Sequence, residues 1–275
     1  MTGTEPQADQ PRFAFGRNWA SYSELIGEPQ IEEAIRGLVR LVPADQLRGR
    51  SFLDIGCGSG LHAAAAARLG VGSIVAIDFD PDSVATTRKV LAGQNLAVPW
   101  KVEQFDVLDL DPTKFGTFAI VYSWGVLHHT GAMWRAVENA ASVVEPGGML
   151  ILALYRTTRS DAFWKWEKRW YAGTSRAAQR LAQEIYIAAR RLAWALRGVS
   201  YRHYVENYRR ARGMDFRHDV HDWLGGYPYE TALAPEVDRR LTELGFVTER
   251  VFACGMTWGV LGSGCDEYVY RKVRG

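Results

Sequence analysis

Three glycines stand within FLDIGCGSG, Phe52 to Gly60, between an apolar run and an alanine-rich segment. Glycine at positions 56, 58 and 60 permits positive φ and close approach of a ligand to the backbone, and a helix opening at Leu61 offers unpaired N–H groups. The spacing of Gly56, Gly58 and Gly60 is G-x-G-x-G, and Leu61 stands where a dinucleotide turn needs its third small residue. Asp54, just before the turn, repels a diphosphate but supports a cationic amino group, directly or through water. It could equally satisfy backbone amides. Cys57, inside the turn, reads as a small filler rather than a reactive thiol. The expected guest is nucleotide-like and carries an ammonium group.

Asp78 closes a second strand-like run 18 residues after Gly60. There a carboxylate can accept both hydroxyls of a ribose, and Phe79 beside it can lie against a base. After a third run, Asp106 and Val107 offer a side-chain acceptor and a backbone N–H that could read an adenine edge. Asp109 and Asp111, nearby, read as solvated or helix-capping. These signals fall at successive strand ends, the binding crevice of an open α/β sheet.

Proton-transfer candidates come next. His128 and His129 follow the fourth strand on the same crevice edge, so either could deprotonate a hydroxyl acceptor or simply hydrogen-bond the loop. MDFRHDVHDW gathers His218 and His221 with Asp215, Asp219 and Asp222, and on a helix His218 shares a face with His221 and Asp222. Acceptor binding or proton removal is expected there ahead of a divalent metal, and no metal site is expected. LGGYPYE forms a shaped loop in which Tyr227, Tyr229 and Glu230 line an acceptor site or anchor the loop on the sheet. In the aromatic N-terminal stretch, Trp19 and Tyr22 close over the ligand or form a satellite core.

Positioning these groups requires alternating strands and helices. Strands are expected at 51–55, 73–78, 100–105, 117–123 and 149–155. Between them lie helices at 61–69, 81–92 and 132–144, with Asp80 as cap and Pro81 in the first turn of the second. An earlier helix over 28–42 packs on the first strand, and a helix over 235–244 leads to strands at 246–253 and 267–273. The organisation read is an arm and helical cap over 1–50, a core over 51–155, a mostly helical basic insertion over 156–233, and a last helix with a strand pair over 234–275.

FLDIGCGSG, AIDFD, FDVLDL, VYSWGVLHH and VEPGGMLIL, in that order over about residues 50–155, resemble the motifs of class I S-adenosylmethionine (SAM)-dependent methyltransferases, particularly the ubiquinone/menaquinone-biosynthesis-like branch. The resemblance implies a Rossmann-like, doubly wound, mostly parallel seven-stranded sheet, with SAM as donor and S-adenosylhomocysteine as product. It also implies that Gly56 and Gly58 shape the methionine pocket, Asp78 holds the ribose, Asp106 and Val107 contact adenine, and Ser123 lies near the amino-acid end. Methyl transfer needs no nucleophilic triad or redox cofactor.

Charge narrows the partners. Residues 156–213 carry 14 Lys or Arg against 4 Asp or Glu, or +10, so the rest of the chain holds 19 against 27, or −8, within a total of +2. Four of the ten tryptophans lie in that segment, where Leu181, Ile185, Ala188, Leu192 and Leu196 form one apolar stripe. The segment reads as a lid for an anionic or lipid-linked small-molecule acceptor, with contact to a membrane surface, or as a lid whose arginines pair with the acidic sheet. An RNA-binding face is the less favoured alternative, and a SAM-binding protein without turnover is another. Three cysteines make neither a disulfide framework nor a metal cluster, and no apolar run spans a bilayer, so a cytoplasmic location is expected. The preferred acceptor atom is a hydroxyl oxygen of a phenol, quinone precursor or sugar.

Overall fold

The computed structural model describes Gly16 and residues 26–212, 216–255 and 257–273. Its centre is a seven-stranded sheet in the order β3-β2-β1-β4-β5-β7-β6. The strands are β1 (Ser51–Ile55), β2 (Ser73–Asp78), β3 (Trp100–Gln104), β4 (Phe118–Trp124), β5 (Val144–Tyr155), β6 (Phe246–Phe252) and β7 (Cys265–Lys272). The first five pair in parallel and β7 runs antiparallel between β5 and β6. β1 and β4 are buried almost end to end, as strands covered on both faces must be. Because chain order reverses between β1 and β4, the crevice opens at the carboxyl ends of β1, β2 and β4.

Side chains alternate across the sheet, so each strand feeds two cores. On one face Phe52 and Ile74 pack with Ile31 and Leu38 of α1 (Glu28–Leu41), Ala64 of α2 (Leu61–Arg68) and Val84 of α3 (Pro81–Gly93). On the other, Leu53, Val121 and Leu152 pack with Val137 of α4 (Met133–Ser142) and with Leu241 of the helix Ala234–Glu243. α3 starts as its residues dictate: Asp80 accepts from the Asp82 N–H, and Pro81 occupies the first turn.

β5 departs from expectation by starting at Val144 rather than Met149. Pro146, Gly147 and Gly148 look like a turn, yet Val144 pairs with Phe118 and a register shift takes up the irregularity before Ile120 meets Met149. The positive φ of Gly147, 79°, is part of that accommodation.

Between β5 and the Ala234–Glu243 helix lie α5 (Asp161–Gly173), α6 (Arg176–Ala195), α7 (Tyr201–Arg212) and α8 (Phe216–Gly225). They bury a third core that includes Trp164, Tyr171, Tyr186, Phe216, Val220 and Leu224. The sequence shows one apolar stripe on α6, but the structure uses the other side of the helix. Tyr186 and Ile187 are buried, while Leu181, Ile185, Leu192 and Leu196 are exposed. A helix that is apolar on two faces can bury only one against a single neighbour.

The insertion is fastened to the sheet where it begins. Ala232 N–H donates to the Tyr155 carbonyl and Thr157 N–H to the Ala232 carbonyl, extending β5 past its end. Arg156 Nε donates to Asp266 Oδ1 at 2.7 Å, and Asp266 is 1% exposed. Removing one partner of a buried pair strands the other charge, which costs about 3–5 kcal/mol. Arg156→Ala is therefore expected to lower stability by about 3 kcal/mol in denaturant melts. A midpoint unchanged from wild type would show that the pair contributes no net stability.

Candidate functional site

The glycine turn is built by positions where a side chain cannot fit. Gly56, Gly58 and Gly60 have φ of 74°, 52° and 78°. A Cβ on Gly56 would sit 2.4 Å from Val126 Cγ2, so the loop after β4 lies directly on the turn. A Cβ on Gly60 would come within 3.0 Å of the Thr87 backbone. Thr87 Oγ1 bonds the Gly58 carbonyl at 3.1 Å and approaches Cys57 Sγ at 3.3 Å, pinning the turn from α3. The Cys57 side chain is turned into the core, away from the crevice.

Two carboxylates meet this turn. Asp54 is buried, and its Oδ2 has no hydrogen-bond partner among the described residues. Burial, then the charge of Asp78, raise its carboxyl to about 7. Asp78 accepts from Gly58 N–H at 3.0 Å and from Asp80 N–H at 2.9 Å, which ties the end of β2 to the turn. Burial raises it to about 6. A crevice with this negative charge suits a cation and repels a diphosphate. Each Asp78 oxygen keeps a second lone pair for a hydroxyl donor.

The outer positions follow the strand ends. Phe79 is 55% exposed beside Asp78. Asp106 caps the short helix Val107–Asp109 by accepting from Leu108 N–H at 2.9 Å. The Val107 carbonyl takes a bond from Asn139 Nδ2, which fixes that loop against α4. Ser123 is fully buried, and its Oγ donates to the Ile55 carbonyl at 3.1 Å, so its hydroxyl joins β4 to β1. Trp19 and Tyr22 lie outside the described residues.

His128 and His129 lie under a neighbouring loop. The loop from Gly226 to Glu230 lies over them: His129 Nδ1 bonds the Pro228 carbonyl at 2.8 Å, and Glu230 N–H donates to the His128 carbonyl. His128 Nδ1 accepts from Tyr155 N–H at 3.3 Å, and its ring lies 3.9 Å from that of Tyr155. Burial lowers His129 to about 3 and puts His128 well below the ordinary histidine range. Both rings are held by hydrogen bonds, and burial disfavours their charged forms.

The second histidine cluster divides. His218 and His221 sit on α8, but His221 faces the other insertion helices: its Nδ1 is 2.7 Å from Tyr171 Oη and 3.2 Å from Gln183 Nε2. These bonds tie α8 to α5 and α6. Tyr227 and Tyr229 are buried. Glu230 Oε2 accepts from Met133 N–H at 3.0 Å, capping α4, and burial raises its carboxyl. Tyr229 and Glu230 nonetheless line a cleft of about 280 Å³ with Asp161, Lys165, Trp134 and Thr231. Among the described residues, no three His, Cys, Asp or Glu side chains are grouped to hold a metal.

Sequence reasoning missed Thr87, Val126 and the buried Lys168. Lys168 Nζ donates to the Trp223 carbonyl and lies 3.7 Å from the Trp223 ring centre, with Tyr155, Trp164 and Tyr229 around it. Burial lowers it to about 7. Nothing in a local pattern distinguishes that lysine from its exposed neighbours. Val126 was within reach, since it falls inside VYSWGVLHH.

Comparison with known proteins agrees with this geometry. Residues 53–152 match the family described as a methyltransferase domain. The ubiquinone biosynthesis O-methyltransferase of Parvibaculum lavamentivorans is 31% identical over 122 residues, 44% of this chain and 46% of that protein. The ribosomal protein L11 methyltransferase of Pelobacter propionicus is 32% identical over 148 residues, 52% of this chain and 42% of that protein. The matches thus span less than half the length of these curated relatives. Among solved structures, the N-methyltransferase NodS of Bradyrhizobium japonicum WM9 with S-adenosyl-L-homocysteine aligns with a TM-score of 0.51 at 16% identity, covering 94% of this chain and 98% of that one. The magnesium protoporphyrin IX methyltransferase of Synechocystis PCC 6803 gives 0.51 at 15% identity, over 89% and 84%. At such identities these two likenesses speak for the fold alone. With its motifs in order and its strand order, the segment 53–152 is a methyltransferase domain by its family match, and it is similar in sequence to the ubiquinone biosynthesis O-methyltransferases.

Proposed function

We propose that this protein transfers a methyl group from SAM to a hydroxyl oxygen of a small molecule such as a phenol, a quinone precursor or a sugar. The observation that carries the reading is the buried Asp54 oxygen, without a partner among the described residues, beside a glycine turn whose positions 56 and 60 leave no room for a Cβ and a second carboxylate at Asp78. That set fits a ligand that is cationic at its amino acid end and carries a ribose. The O-methyltransferase relatives favour oxygen as the receiving atom.

In this reading Asp54 faces the ammonium group, Gly56 and Gly58 let the methionine chain lie on the backbone, and Asp78 accepts the ribose hydroxyls. Phe79 stacks on the base, and Asp106 with the Val107 N–H reads its edge. SAM supplies a sulfonium-activated methyl group, so the protein's task is alignment and exclusion of water. Val126, packed on Gly56, and the Gly226–Glu230 loop close the crevice on the β4 side. The cleft beside Tyr229 and Glu230 is the entry assigned to the acceptor, with Lys165 and Asp161 at its rim.

Calorimetry with SAM or S-adenosylhomocysteine tests donor binding, and absence of binding removes the reading. Asp78→Ala is expected to weaken binding by about 2 kcal/mol, roughly thirtyfold, through loss of charge-assisted hydrogen bonds. Unchanged affinity removes the ribose assignment. Release of S-adenosylhomocysteine with a panel of catechols and hydroxybenzoates tests turnover, and donor binding without turnover would indicate a SAM-binding protein.

The pH dependence follows from Asp54. A cation prefers the ionised carboxylate, so affinity should rise as pH climbs through about 7 and fall above about 8, where the ligand's own amino group titrates. In the ligand-free protein the sign is opposite for stability. Carboxyls raised in the folded state stabilise it below their unfolded value, and that contribution is lost as pH rises through about 6 to 7. Asp54→Asn should therefore abolish the rising limb of binding. It should also raise the ligand-free stability at pH 8 by roughly 1–2 kcal/mol in thermal melts. A variant less stable than wild type at that pH would show that the buried charge is not a burden on the fold.

A further inference from the structure

The surface departs most from an ordinary soluble face along α6. Leu181, Ile185, Leu192 and Leu196 are 63%, 62%, 63% and 80% exposed, with the exposed Ala188 between them, so one apolar line runs about 22 Å along the helix. The opposite side of the same helix is already buried through Tyr186 and Ile187, so the exposed line is surplus to the core of the chain. Exposed Arg180, Arg191 and Arg197 flank it.

The charge around this line is not spent on the sheet. Among the described residues, Arg156 is the one cation of the 156–213 segment ion-paired with a sheet carboxylate, and no carboxylate lies within ion-pair distance of Arg176, Arg180 or Arg197. The expectation that the arginines pair with the acidic sheet is corrected for those three. The preceding helix, α5, shows Phe163, Trp166 and Trp170 to solvent at helical spacing, interleaved with Lys165 and Arg169. Exposed rings interleaved with basic side chains on α5, and an aliphatic line flanked by arginines on α6, are both of the kind that meets the boundary between lipid headgroups and acyl chains.

We infer that α6 lies on an anionic lipid surface, its leucine and isoleucine line entering the acyl boundary and its arginines meeting headgroup phosphates. Charge selects this occupant. A second copy would bring the same +10 segment against itself, whereas an anionic bilayer neutralises it. RNA would find phosphate partners, and rings to stack on along α5, but it has no use for an exposed aliphatic line. The contact is interfacial, because no described helix is long and apolar enough to cross a membrane. It does not depend on the methyl-transfer reading, and the curated relatives match about half of the chain or less.

Cosedimentation of the full chain with vesicles of phosphatidylcholine, with and without phosphatidylglycerol, tests the inference. Binding is expected to the phosphatidylglycerol vesicles, weakening as salt rises from about 50 mM to about 500 mM. Ile185→Glu with Leu192→Glu should reduce that binding about tenfold or more without changing the thermal melt, since both side chains are exposed. Arg180→Glu with Arg197→Glu should remove the preference for the anionic lipid. Failure of the wild-type chain to bind at low salt, equal binding to both vesicle types, or full binding by the Ile185/Leu192 variant overturns the inference. A dimer by light scattering that the Ile185/Leu192 variant dissolves, with vesicles left unbound, would assign the line to self-association instead.

Discussion

Two carboxylates at one crevice set the terms for the rest of this structure. Asp54 and Asp78 stand at the carboxyl ends of adjacent parallel strands, where strand pairing brings them together, Asp54 buried and Asp78 half-buried. The charge of Asp78 raises the cost of ionising Asp54, and among the described residues no lysine or arginine is ion-paired with either. Asp78 is instead held by the amides of Gly58 and Asp80, so the glycine turn is shaped by the same charge that a ligand would meet. An arrangement that is unfavourable in the empty protein becomes favourable once a cation enters, which is how a binding site and a stability defect can be one feature.

The insertion follows a different logic. It carries its own aromatic core, is joined to the sheet by a short strand-like ladder and the Arg156–Asp266 pair, and folds the Gly226–Glu230 loop back over the histidines. That last contact holds the His129 ring and Tyr155 N–H holds that of His128, and burial disfavours their charged forms. The insertion thus decides what the crevice can do on its β4 side while leaving the donor side to the sheet.

Legibility in the sequence tracked the range of the interactions involved. The β1 and β2 limits and the glycine turn were readable because apolar alternation, capping by Asp80 and the glycine requirement are local, set within a few residues. The start of β5 was hidden because Pro146, Gly147 and Gly148 mimic a turn, and only pairing with Phe118 makes them part of a strand. Ser123 was placed correctly on its strand, but its bond to Ile55 depends on a neighbour 68 residues away.

By itself, the sequence determined the alternation of strands and helices, the cationic preference of the glycine turn and the concentration of positive charge after the fifth strand. These follow from residue type and spacing, which act over a turn or a strand. Only the tertiary structure decided that Asp54 has an oxygen without a partner among the described residues, that His128 and His129 lie under the Gly226–Glu230 loop, that Lys168 is enclosed by aromatic rings, and that the apolar line of α6 faces outward. Burial and partnership belong to pairs of groups distant in the chain, and a one-dimensional pattern carries no record of which of two apolar helix faces finds a neighbour.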